Sequence, residues 1–472
     1  MEIIHLSAEC YPVAKAGGLG DVVGALPKYQ CLAGHHAKVV MPMYRTRFLY
    51  EHEWDVDFKG HGRMGGRHFE YTVIREKTNV LGFDLYLVDI NGLLDREKIY
   101  GYDDDTERFL AFQLAVADWM NHWEHRPEVV HCHDHHTALF PFLLQHCYAF
   151  RQLAGIPTVL TIHNAQYQGI MSWDKISYFP GWDQWKWGLL DWNKHINPLA
   201  SGVRCANRVT TVSDSYLQEL RYSANGLENL FEYEKGKCVG ILNGIDTEVW
   251  DAMTDPNLVK PYQLREVAEG KQANKEALCE QFGIRDPENP LFVFIGRLVG
   301  EKAADILPDA IMSMLYTHTG KLSVLVLGSG EPHVEWQLEA MNERFTGVYH
   351  AVIGYHEKLA HQLYAGADFL LMPSRVEPCG LNQMYAMRYG TIPLVRSTGG
   401  LQDTVTDIGD PEGFGIRFQH ATVGDLYHAM ERALNLYSDK EQMEWIRKFM
   451  MQIDHSWEST VDEYMRVYQS IQ

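Results

Sequence analysis

Short apolar runs recur along the chain and are separated by longer amphipathic stretches. In the first half the runs predict strands at Glu2–Leu6, Ala37–Pro42, Phe83–Ile90, Val129–His133, Thr158–His163 and Arg208–Ser213. In the second half they predict strands at Leu291–Leu298, Ser323–Gly328, Val348–Tyr355, Phe369–Ser374, Ile392–Ser397 and Phe414–Phe418. This alternation is typical of βαβ units, whose parallel strands are buried on both faces. It predicts an α/β fold with two doubly wound, Rossmann-like domains.

A polar segment from about Asp251 to Pro290 separates the two sets of strands and has few apolar residues at either a helical or a strand period. We therefore predict an N-terminal domain at residues 1–245 and a C-terminal domain at residues 246–455. Residues 456–472 predict an amphipathic helix with a structural role, packed back on the N-terminal domain. Open α/β sheets bind ligands at the carboxyl ends of their strands, so two such sheets predict a deep interdomain cleft as the ligand site.

The chain of 472 residues is acidic, with 42 Lys and Arg against 62 Asp and Glu and a net charge of −20. A field of this sign repels phosphate backbones, which excludes a broad nucleic-acid-binding surface and requires local cations for any anionic ligand. The eight cysteines form no C-x-x-C pair, which argues against a zinc ribbon or a disulfide framework. Reduced cysteines, no apolar run near the ~18 residues of a membrane span and no signal-peptide pattern predict a cytoplasmic protein without membrane partners.

A glycine-rich loop follows the first predicted strand and reads Lys15-Ala-Gly17-Gly18-Leu-Gly-Asp21. Glycines allow the backbone to approach a ligand closely, and the N-terminus of the following helix offers N–H groups to an anion. The loop is not the dinucleotide fingerprint, because Val23 stands where the third glycine would fall. A phosphate-binding loop and a plain glycine turn are the two interpretations.

Histidines gather at the ends of two neighbouring predicted strands, in His131-Cys-His-Asp134-His-His136 and in Thr161-Ile-His163-Asn164. The first run has the residue types of a metal site, but no second His/Cys cluster supplies further ligands, so a hydrogen-bonded polar edge is favoured. Two strand ends that deliver histidine to the same edge favour a functional role.

In the second half, Arg297 and Lys302 lie five residues apart after a strand, where they either clamp two phosphates or form a solvated surface pair. Glu377 follows another strand, in a position suited to accept hydrogen bonds from a sugar or ribose. The loop Ser397-Thr-Gly-Gly-Leu401 supplies a further cradle of backbone N–H groups. Five tryptophans between residues 173 and 192 either stack on sugar rings or serve as packing anchors.

These motifs together carry a family resemblance over about residues 1 to 468. They are KAGGLGDVVGALPK (15–28), the HDHHT element ending at 137, TIHN (161–164), LNGID (242–246), GRLVGEK (296–302), IGYHE (353–357), PSRVEPCGLNQMYAMRYG (373–390) and STGGLQDTV (397–405). The chain resembles bacterial glycogen synthase and plant starch synthase. The resemblance implies a GT-B glycosyltransferase that extends an α-1,4-glucan from a nucleotide-glucose with retention of configuration. It implies no metal ion and no other cofactor; the partners are the nucleotide-sugar and a glycogen or malto-oligosaccharide acceptor.

The resemblance also implies roles for individual residues. The implied catalytic residues are His163 near the transferred sugar, Glu377 beside the glucosyl hydroxyls, Asp134 on the acceptor side, and Arg297 and Lys302 on the diphosphate. The implied donor-binding residues are Lys15, Gly17, Gly18, Arg297, Lys302, Tyr355 against the base, Cys379, Gly380, Leu381, Thr398, Gly399 and Gly400.

Two departures from the family pattern bear on specificity. Tyr385 replaces the second glutamate found in related retaining transferases, and His135 replaces the usual tryptophan of the HDWH element. The donor is left open between ADP-glucose, which we favour, and UDP-glucose. For retention we favour front-side attack over a covalent intermediate. The alternatives for the whole chain are a catalytically inactive glucan-binding paralogue and a sucrose- or trehalose-type transferase.

Overall fold

The computed structural model describes residues 1–472, and the chain divides into two compact units. Unit 1 comprises Met1–Asn243 together with Trp457–Gln472, and unit 2 comprises Gly244–Ser456. Each unit is built around a mainly or wholly parallel sheet with helices between its strands, so the predicted α/β class is confirmed. All twelve predicted strands are present, with ends that differ by a few residues from the sequence pattern.

Unit 1 contains a nine-stranded sheet with the order β11-β10-β7-β6-β1-β2-β5-β4-β3, and a separate pair formed by β8 and β9. The strands are β1 (Glu2–Leu6), β2 (His36–Pro42), β3 (Trp54–Met64), β4 (Arg67–Glu76), β5 (Asp84–Asp89), β6 (Val129–His133), β7 (Thr158–Ile162), β8 (Asp191–Trp192), β9 (His195–Ile196), β10 (Arg208–Thr211) and β11 (Cys238–Gly240). The strands from β11 to β5 in this order pair in parallel, whereas β5, β4 and β3 pair antiparallel.

The helices of the first 243 residues are α1 (Gly18–Leu32), α2 (Arg47–Glu51), α3 (Asp105–Asn121), α4 (Phe140–His146), α5 (Pro198–Cys205), α6 (Asp214–Leu220) and α7 (Glu228–Tyr233). Helix α1 begins inside the glycine-rich loop, so this loop is a strand-to-helix connection after β1. Arg108 on α3 is fully buried and donates hydrogen bonds to the carbonyl groups of Leu93 and Ile99, which fixes the loop between β5 and α3.

Unit 2 contains a wholly parallel six-stranded sheet with the order β14-β13-β12-β15-β16-β17. Its strands are β12 (Leu291–Leu298), β13 (Ser323–Gly330), β14 (Tyr349–Ile353), β15 (Phe369–Met372), β16 (Ile392–Arg396) and β17 (Ile416–Phe418). Its helices are α8 (Val267–Phe282), α9 (Leu307–Thr317), α10 (Pro332–Arg344), α11 (Glu357–Gly366), α12 (Asn382–Arg388), α13 (Gly399–Thr404), α14 (Val423–Tyr437) and α15 (Lys440–Met451).

Helix α8 lies in the polar segment that showed no clear period, because part of its inward face is charged. Lys271 is buried and donates to the carbonyl oxygens of Tyr364 and Ala365 at 3.1 and 2.9 Å. Lys275 is buried and forms an ion pair with Asp368 at 2.9 Å. The charge of Lys275 is thus paired with a carboxylate, whereas burial lowers the pKa of Lys271 well below its ordinary value and its amine is satisfied by hydrogen bonds.

The last helix, α16 (Trp457–Gln469), belongs to unit 1. Its buried residues Trp457, Val461 and Tyr464 share an apolar cluster with Ile3 of β1 and Leu26 of α1. The helix therefore completes the core on one face of the nine-stranded sheet. Among the helices of both units, not one combines the length and the apolar character needed to cross a membrane.

Candidate active site

In unit 1, three predicted site elements follow neighbouring strands. Strands β1, β6 and β7 are parallel and adjacent in the sheet. The glycine-rich loop follows β1, Asp134 follows β6, and His163 follows β7. Because the carboxyl ends of parallel strands lie at the same edge of a sheet, the fold places these elements together.

Asp134 and His163 are in direct contact. The Asp134 carboxylate accepts the backbone N–H of His163 at 2.7 Å and that of Asn164 at 3.4 Å. Asp134 has a φ of 58°, a conformation that costs energy for a residue other than glycine and clusters at functional sites. Burial raises the pKa of Asp134 to about 7, against the effect of the two backbone hydrogen bonds. Burial lowers the pKa of His163 to about 3, so this imidazole is neutral at physiological pH.

The glycine-rich loop is organised by Glu9, a residue that the sequence analysis missed. Its buried carboxylate accepts the backbone N–H of Ala16 at 2.8 Å and that of Gly17 at 3.0 Å. The N–H of Gly17 is therefore engaged by a carboxylate in this structure. The space beside Gly17 and Gly18, where a side chain would project, is open to 4 Å. No motif marks Glu9 in the sequence, because its role depends on how the loop folds back.

Tyr100 joins the glycine-rich loop to the histidine run. Its hydroxyl donates to the second oxygen of Glu9 at 2.6 Å, and its ring stacks on His136 with 4.9 Å between the ring centroids. Lys15 forms an ion pair with Asp21 at 2.7 Å and is 39% exposed. The Lys15 side chain is therefore accessible from solvent, whereas the backbone of the loop is hydrogen-bonded to Glu9.

In unit 2, Lys302 and Glu377 form a close ion pair. The Lys302 ammonium lies 2.7 and 2.6 Å from the two carboxylate oxygens of Glu377. The hydroxyl of Ser374 donates to the same carboxylate at 2.9 Å. Glu377 is buried, with only 8% of its side chain exposed. Lys302 ends the turn after β12 and Glu377 follows β15, and these strands are neighbours, which explains why the two groups meet.

The loop of Thr398, Gly399 and Gly400 packs directly on the segment that carries Glu377. The N–H of Gly400 donates to the carbonyl oxygen of Glu377 at 3.1 Å. A Cβ atom at Gly399 would lie 2.0 Å from that oxygen, and one at Gly400 would lie 2.0 Å from the carbonyl oxygen of Cys379. The two glycines are thus required by a close approach of backbones. The predicted donor-side residues of unit 2 from Cys379 to Leu381 lie in this packed segment.

Arg297 and Tyr355 are more exposed than the other predicted donor-side residues of unit 2. The Arg297 side chain is 60% exposed and lies 3.4 Å from Glu301. Tyr355 is 75% exposed in the loop between β14 and α11. Strand β14 is the edge strand and β13 separates it from β12, so Tyr355 follows a strand two positions away from that of Arg297.

The histidine run forms a compact cluster with His5, which the sequence analysis did not single out. The candidate ligand atoms of His5, His131 and His133 lie within 4.8 Å of one another. Each of the six ring nitrogens also lies within hydrogen-bonding distance of a protein group; the partners include Gln30, Thr161 and Tyr468. The hydrogen-bonded interpretation therefore accounts for all these nitrogens.

The five tryptophans divide into two groups. Trp182 is buried and packs edge-on against Phe142 with 5.5 Å between the ring centroids. The indole N–H groups of Trp173 and Trp192 donate to Asp191 and to a backbone carbonyl group, at 2.7 and 2.8 Å. Trp185 and Trp187 are 77% and 56% exposed. Trp173, Trp182 and Trp192 therefore act as packing or hydrogen-bonding anchors. The indole rings of Trp185 and Trp187 are exposed and could stack on a sugar ring.

Comparisons with known proteins agree with this arrangement. Residues 2–233 match the starch synthase catalytic domain, and residues 277–448 match glycosyl transferases group 1. The chain is 51% identical to a glycogen synthase of Flavobacterium johnsoniae, over 100% of this chain and 99% of the relative. It is 37% identical to a glycogen synthase of Streptococcus sanguinis, over the full length of both chains.

Solved structures show the same architecture. The catalytic domain of starch synthase IV from Arabidopsis thaliana bound to ADP and acarbose has a TM-score of 0.89 at 32% identity, covering 100% of this chain and 99% of that one. A sucrose-phosphate synthase from Thermosynechococcus elongatus has a TM-score of 0.64 at 17% identity, covering 99% and 98%, which shows the fold alone. The two α/β units and their strand-end residues define a glycosyltransferase of the GT-B class. Within that class, the chain belongs to the glycogen synthase family, as its motifs indicated.

Proposed function

We propose that this protein transfers glucose from a nucleotide-glucose, with ADP-glucose as the favoured donor, to the non-reducing end of an α-1,4-glucan with retention of configuration. The observation that carries the proposal is the ion pair between Lys302 and the buried Glu377, which lies at the strand ends of unit 2, where parallel-sheet folds bind ligands. The identity to glycogen synthases over the whole chain supports the reaction, and a related starch synthase bound to ADP and acarbose supports both substrate classes.

The cations of unit 2 have the chemistry that the leaving group needs. An ammonium carries three donors, so the two contacts of Lys302 with Glu377 leave one N–H for a phosphate oxygen. Arg297 is exposed and offers a planar fork that suits a second phosphate. Together they would stabilise the charge that develops on the departing diphosphate, the work that a divalent metal performs in other transferases. We propose that the reaction proceeds without a metal ion.

Glu377 is better suited to orient the sugar than to attack it. Both of its oxygens accept hydrogen bonds from Lys302, and one also accepts from Ser374, so its negative charge is already compensated. Asp134 is held by two backbone N–H groups, and burial raises its pKa to about 7, which disfavours its charged form. Neither carboxylate has the free charge that a nucleophile in a double displacement requires.

We therefore propose front-side attack. The bond between the anomeric carbon and the diphosphate oxygen breaks, and its electron pair leaves with the diphosphate. The acceptor hydroxyl bonds to the same face of the anomeric carbon, and its proton passes to the departing phosphate oxygen. The neutral imidazole of His163 and the carboxylate of Glu377 hold sugar hydroxyl groups during this step.

The test is an incubation of the full chain with glycogen primer and either ADP-glucose or UDP-glucose, followed by measurement of nucleoside diphosphate release and of the anomeric configuration of the new linkage by NMR. We expect turnover, faster with ADP-glucose, and an α linkage. A folded preparation that turns over neither donor would refute the proposed activity and favour the glucan-binding paralogue. A trapped glucosyl adduct on Glu377 or Asp134 would refute front-side attack while leaving the activity intact.

A further inference from the structure

The buried histidines of unit 1 form one continuous chain of hydrogen bonds that ends on His163. Nε2 of His163 lies 3.0 Å from Nδ1 of His133, and Nε2 of His133 lies 3.0 Å from Nδ1 of His5. Nε2 of His5 then meets the amide oxygen of Gln30 on α1 at 2.7 Å. Two strand-borne rings, those of His133 and His5, and the side chain of Gln30 thus form a hydrogen-bonded series behind His163.

The series of hydrogen bonds continues from Gln30 to the last helix, α16. The amide nitrogen of Gln30 donates to the hydroxyl of Tyr468 on α16 at 3.1 Å, and this hydroxyl lies 2.6 Å from Nδ1 of His131. Nε2 of His131 meets the hydroxyl of Thr161 at 2.5 Å, which in turn contacts the hydroxyl of Thr210 at 2.6 Å. Gln30 is therefore the junction between two branches.

The amide of Gln30 sets the direction of every bond in the chain. A neutral imidazole has one N–H donor and one acceptor nitrogen, and an amide oxygen only accepts. Because the oxygen of Gln30 faces His5, Nε2 of His5 carries the hydrogen and Nδ1 accepts. The same alternation makes Nε2 the donor on His133 and then on His163. Reversal of the amide would reverse the tautomer of all three rings.

The surroundings keep the rings neutral, which this alternation requires. His5, His131 and His133 are completely buried, and burial lowers the pKa of each far enough that no ring is charged near neutral pH. The low dielectric also makes each bond hard to break, since an unpaired ring nitrogen in this cluster would lose its hydrogen bond without gaining one from water.

We propose that His133, His5 and Gln30 are positioning residues that hold His163 as its Nε2–H tautomer, so that Nδ1 accepts a hydrogen bond from a hydroxyl group of the bound sugar. Tyr468 opposes reversal of the amide from the far side: its hydroxyl accepts the amide N–H of Gln30 and can donate its own hydrogen to Nδ1 of His131, so a reversed amide would require the His131 tautomer to reverse as well. The role of Nδ1 toward the sugar rests on the proposed function, whereas the tautomer itself does not.

The first test measures the tautomer directly. Solid-state NMR of the full chain labelled with ¹⁵N-histidine distinguishes protonated from unprotonated ring nitrogens, and the His163 signals are assigned by their loss in His163→Gln. We expect a protonated Nε2 and an unprotonated Nδ1 on His163. A protonated Nδ1, or Zn²⁺-dependent shifts of the His5, His131 and His133 signals at stoichiometric metal, would overturn the proposal.

The second test removes the hydroxyl of Tyr468, and with it the hydrogen bond from Gln30, while keeping the aromatic ring at position 468. Tyr468→Phe should produce a second His163 tautomer and lower kcat by about twofold if the two tautomers become equally populated, because half of the molecules are then competent. Val461→Ala is the matched control, since it lies in the same apolar cluster of α16 and outside the hydrogen-bonded chain. We expect it to lower the melting temperature and leave the tautomer unchanged.

The two tests separate the outcomes. A Tyr468→Phe protein that keeps a single His163 tautomer and the wild-type kcat would contradict the role of Tyr468. If the wild-type chain shows the Nε2–H tautomer but turns over neither donor, the proposed function fails and the positioning chain stands. If it turns over a donor with His163 in the other tautomer, the positioning chain fails and the function stands.

Discussion

Acidification should unfold unit 1 before unit 2, because unit 1 buries many neutral histidines. Eight histidines of unit 1 have a pKa lowered by burial, and two of them, His35 and His146, are only partly buried. In the other six the shift is large: the pKa falls to about 4 in His5 and His135, to about 3 in His163, and well below 6.5 in His131, His133 and His136. A histidine whose folded pKa is depressed stabilises the fold above its unfolded pKa, and this stability is lost as the pH falls below 6.5 toward the folded value.

The magnitude follows from proton linkage. One pH unit below the unfolded pKa, the unfolded chain binds protons about tenfold more favourably at each such histidine, which costs ~1.4 kcal/mol per residue. Asp134 acts in the opposite direction, because its raised pKa of about 7 makes the fold more stable as the pH falls, and it cancels about one histidine. Independent titration of all six sites sets an upper bound of ~7 kcal/mol on the net loss at about pH 5.5, comparable with the ~5–15 kcal/mol that stabilise a typical domain.

Unit 2 offers an internal comparison. Two histidines of unit 2 have a pKa lowered by burial. They are His350, which is partly buried, and His455, whose pKa falls to about 4. Hydrogen exchange followed by mass spectrometry at about pH 7.5 and about pH 5.5, corrected for the intrinsic exchange rate, reports the opening free energy of each unit separately. We expect peptides from β6 and β7 to lose several times more protection than peptides from β12 and β15.

A pair of variants isolates the cause. His136→Phe keeps an aromatic ring beside Tyr100 and removes one titrating group, so it should reduce the loss between the two pH values by ~1.4 kcal/mol. His61→Phe changes a histidine that is 83% exposed on β3 and should leave the loss unchanged. Equal loss of protection in both units, or an identical pH dependence for the two variants, would refute the argument.

Three further predictions concern the site. Lys302→Ala should lower the rate of nucleoside diphosphate release more than tenfold, which corresponds to at least ~1.4 kcal/mol in the activation barrier. The control Lys448→Ala breaks an exposed ion pair on α15 and should keep the wild-type rate. Gly400→Ala should destabilise unit 2 by about 2 kcal/mol or more in a urea titration, because its Cβ meets a carbonyl oxygen at 2.0 Å, while Gly424→Ala, with open space around it, should not. Glu9→Ala should raise the KM for the donor, since two loop N–H groups lose their acceptor; an unchanged KM would remove Glu9 from loop organisation.

Much of the fold could be predicted because its strands are buried on both faces and so appear as continuous apolar runs. The hairpin of β3 and β4 was missed for the opposite reason. It lies at the antiparallel edge of the sheet, and β3 exposes most of its side chains, so the strand is largely polar. Helix α8 was missed because Lys271 and Lys275 point inward and interrupt the apolar pattern.

The candidate site shows the same division. The rule that strand ends share an edge predicted that Asp134 would lie near His163, and the structure also places Lys302 against Glu377. The groups that hold these residues were not foreseen, because no local pattern marks them. Gln30 is a single polar residue on a helix, and its role appears only when the sheet brings His5 against it.

The position of α16 has a consequence for the order in which the protein is made. In the sequence, residues 244–456 of unit 2 are inserted between the two segments that form unit 1. During synthesis, the part of the apolar cluster that α16 covers stays exposed until the whole of unit 2 has been made, although α1 already packs on the same cluster. Unit 2 is one continuous segment, so it can complete its fold before unit 1 does, although most of unit 1 is synthesised earlier. A chain interrupted before Trp457 would therefore leave apolar side chains of Ile3, Val129 and Val159 without their α16 partners, so the core of unit 1 is completed only by the last segment to be made.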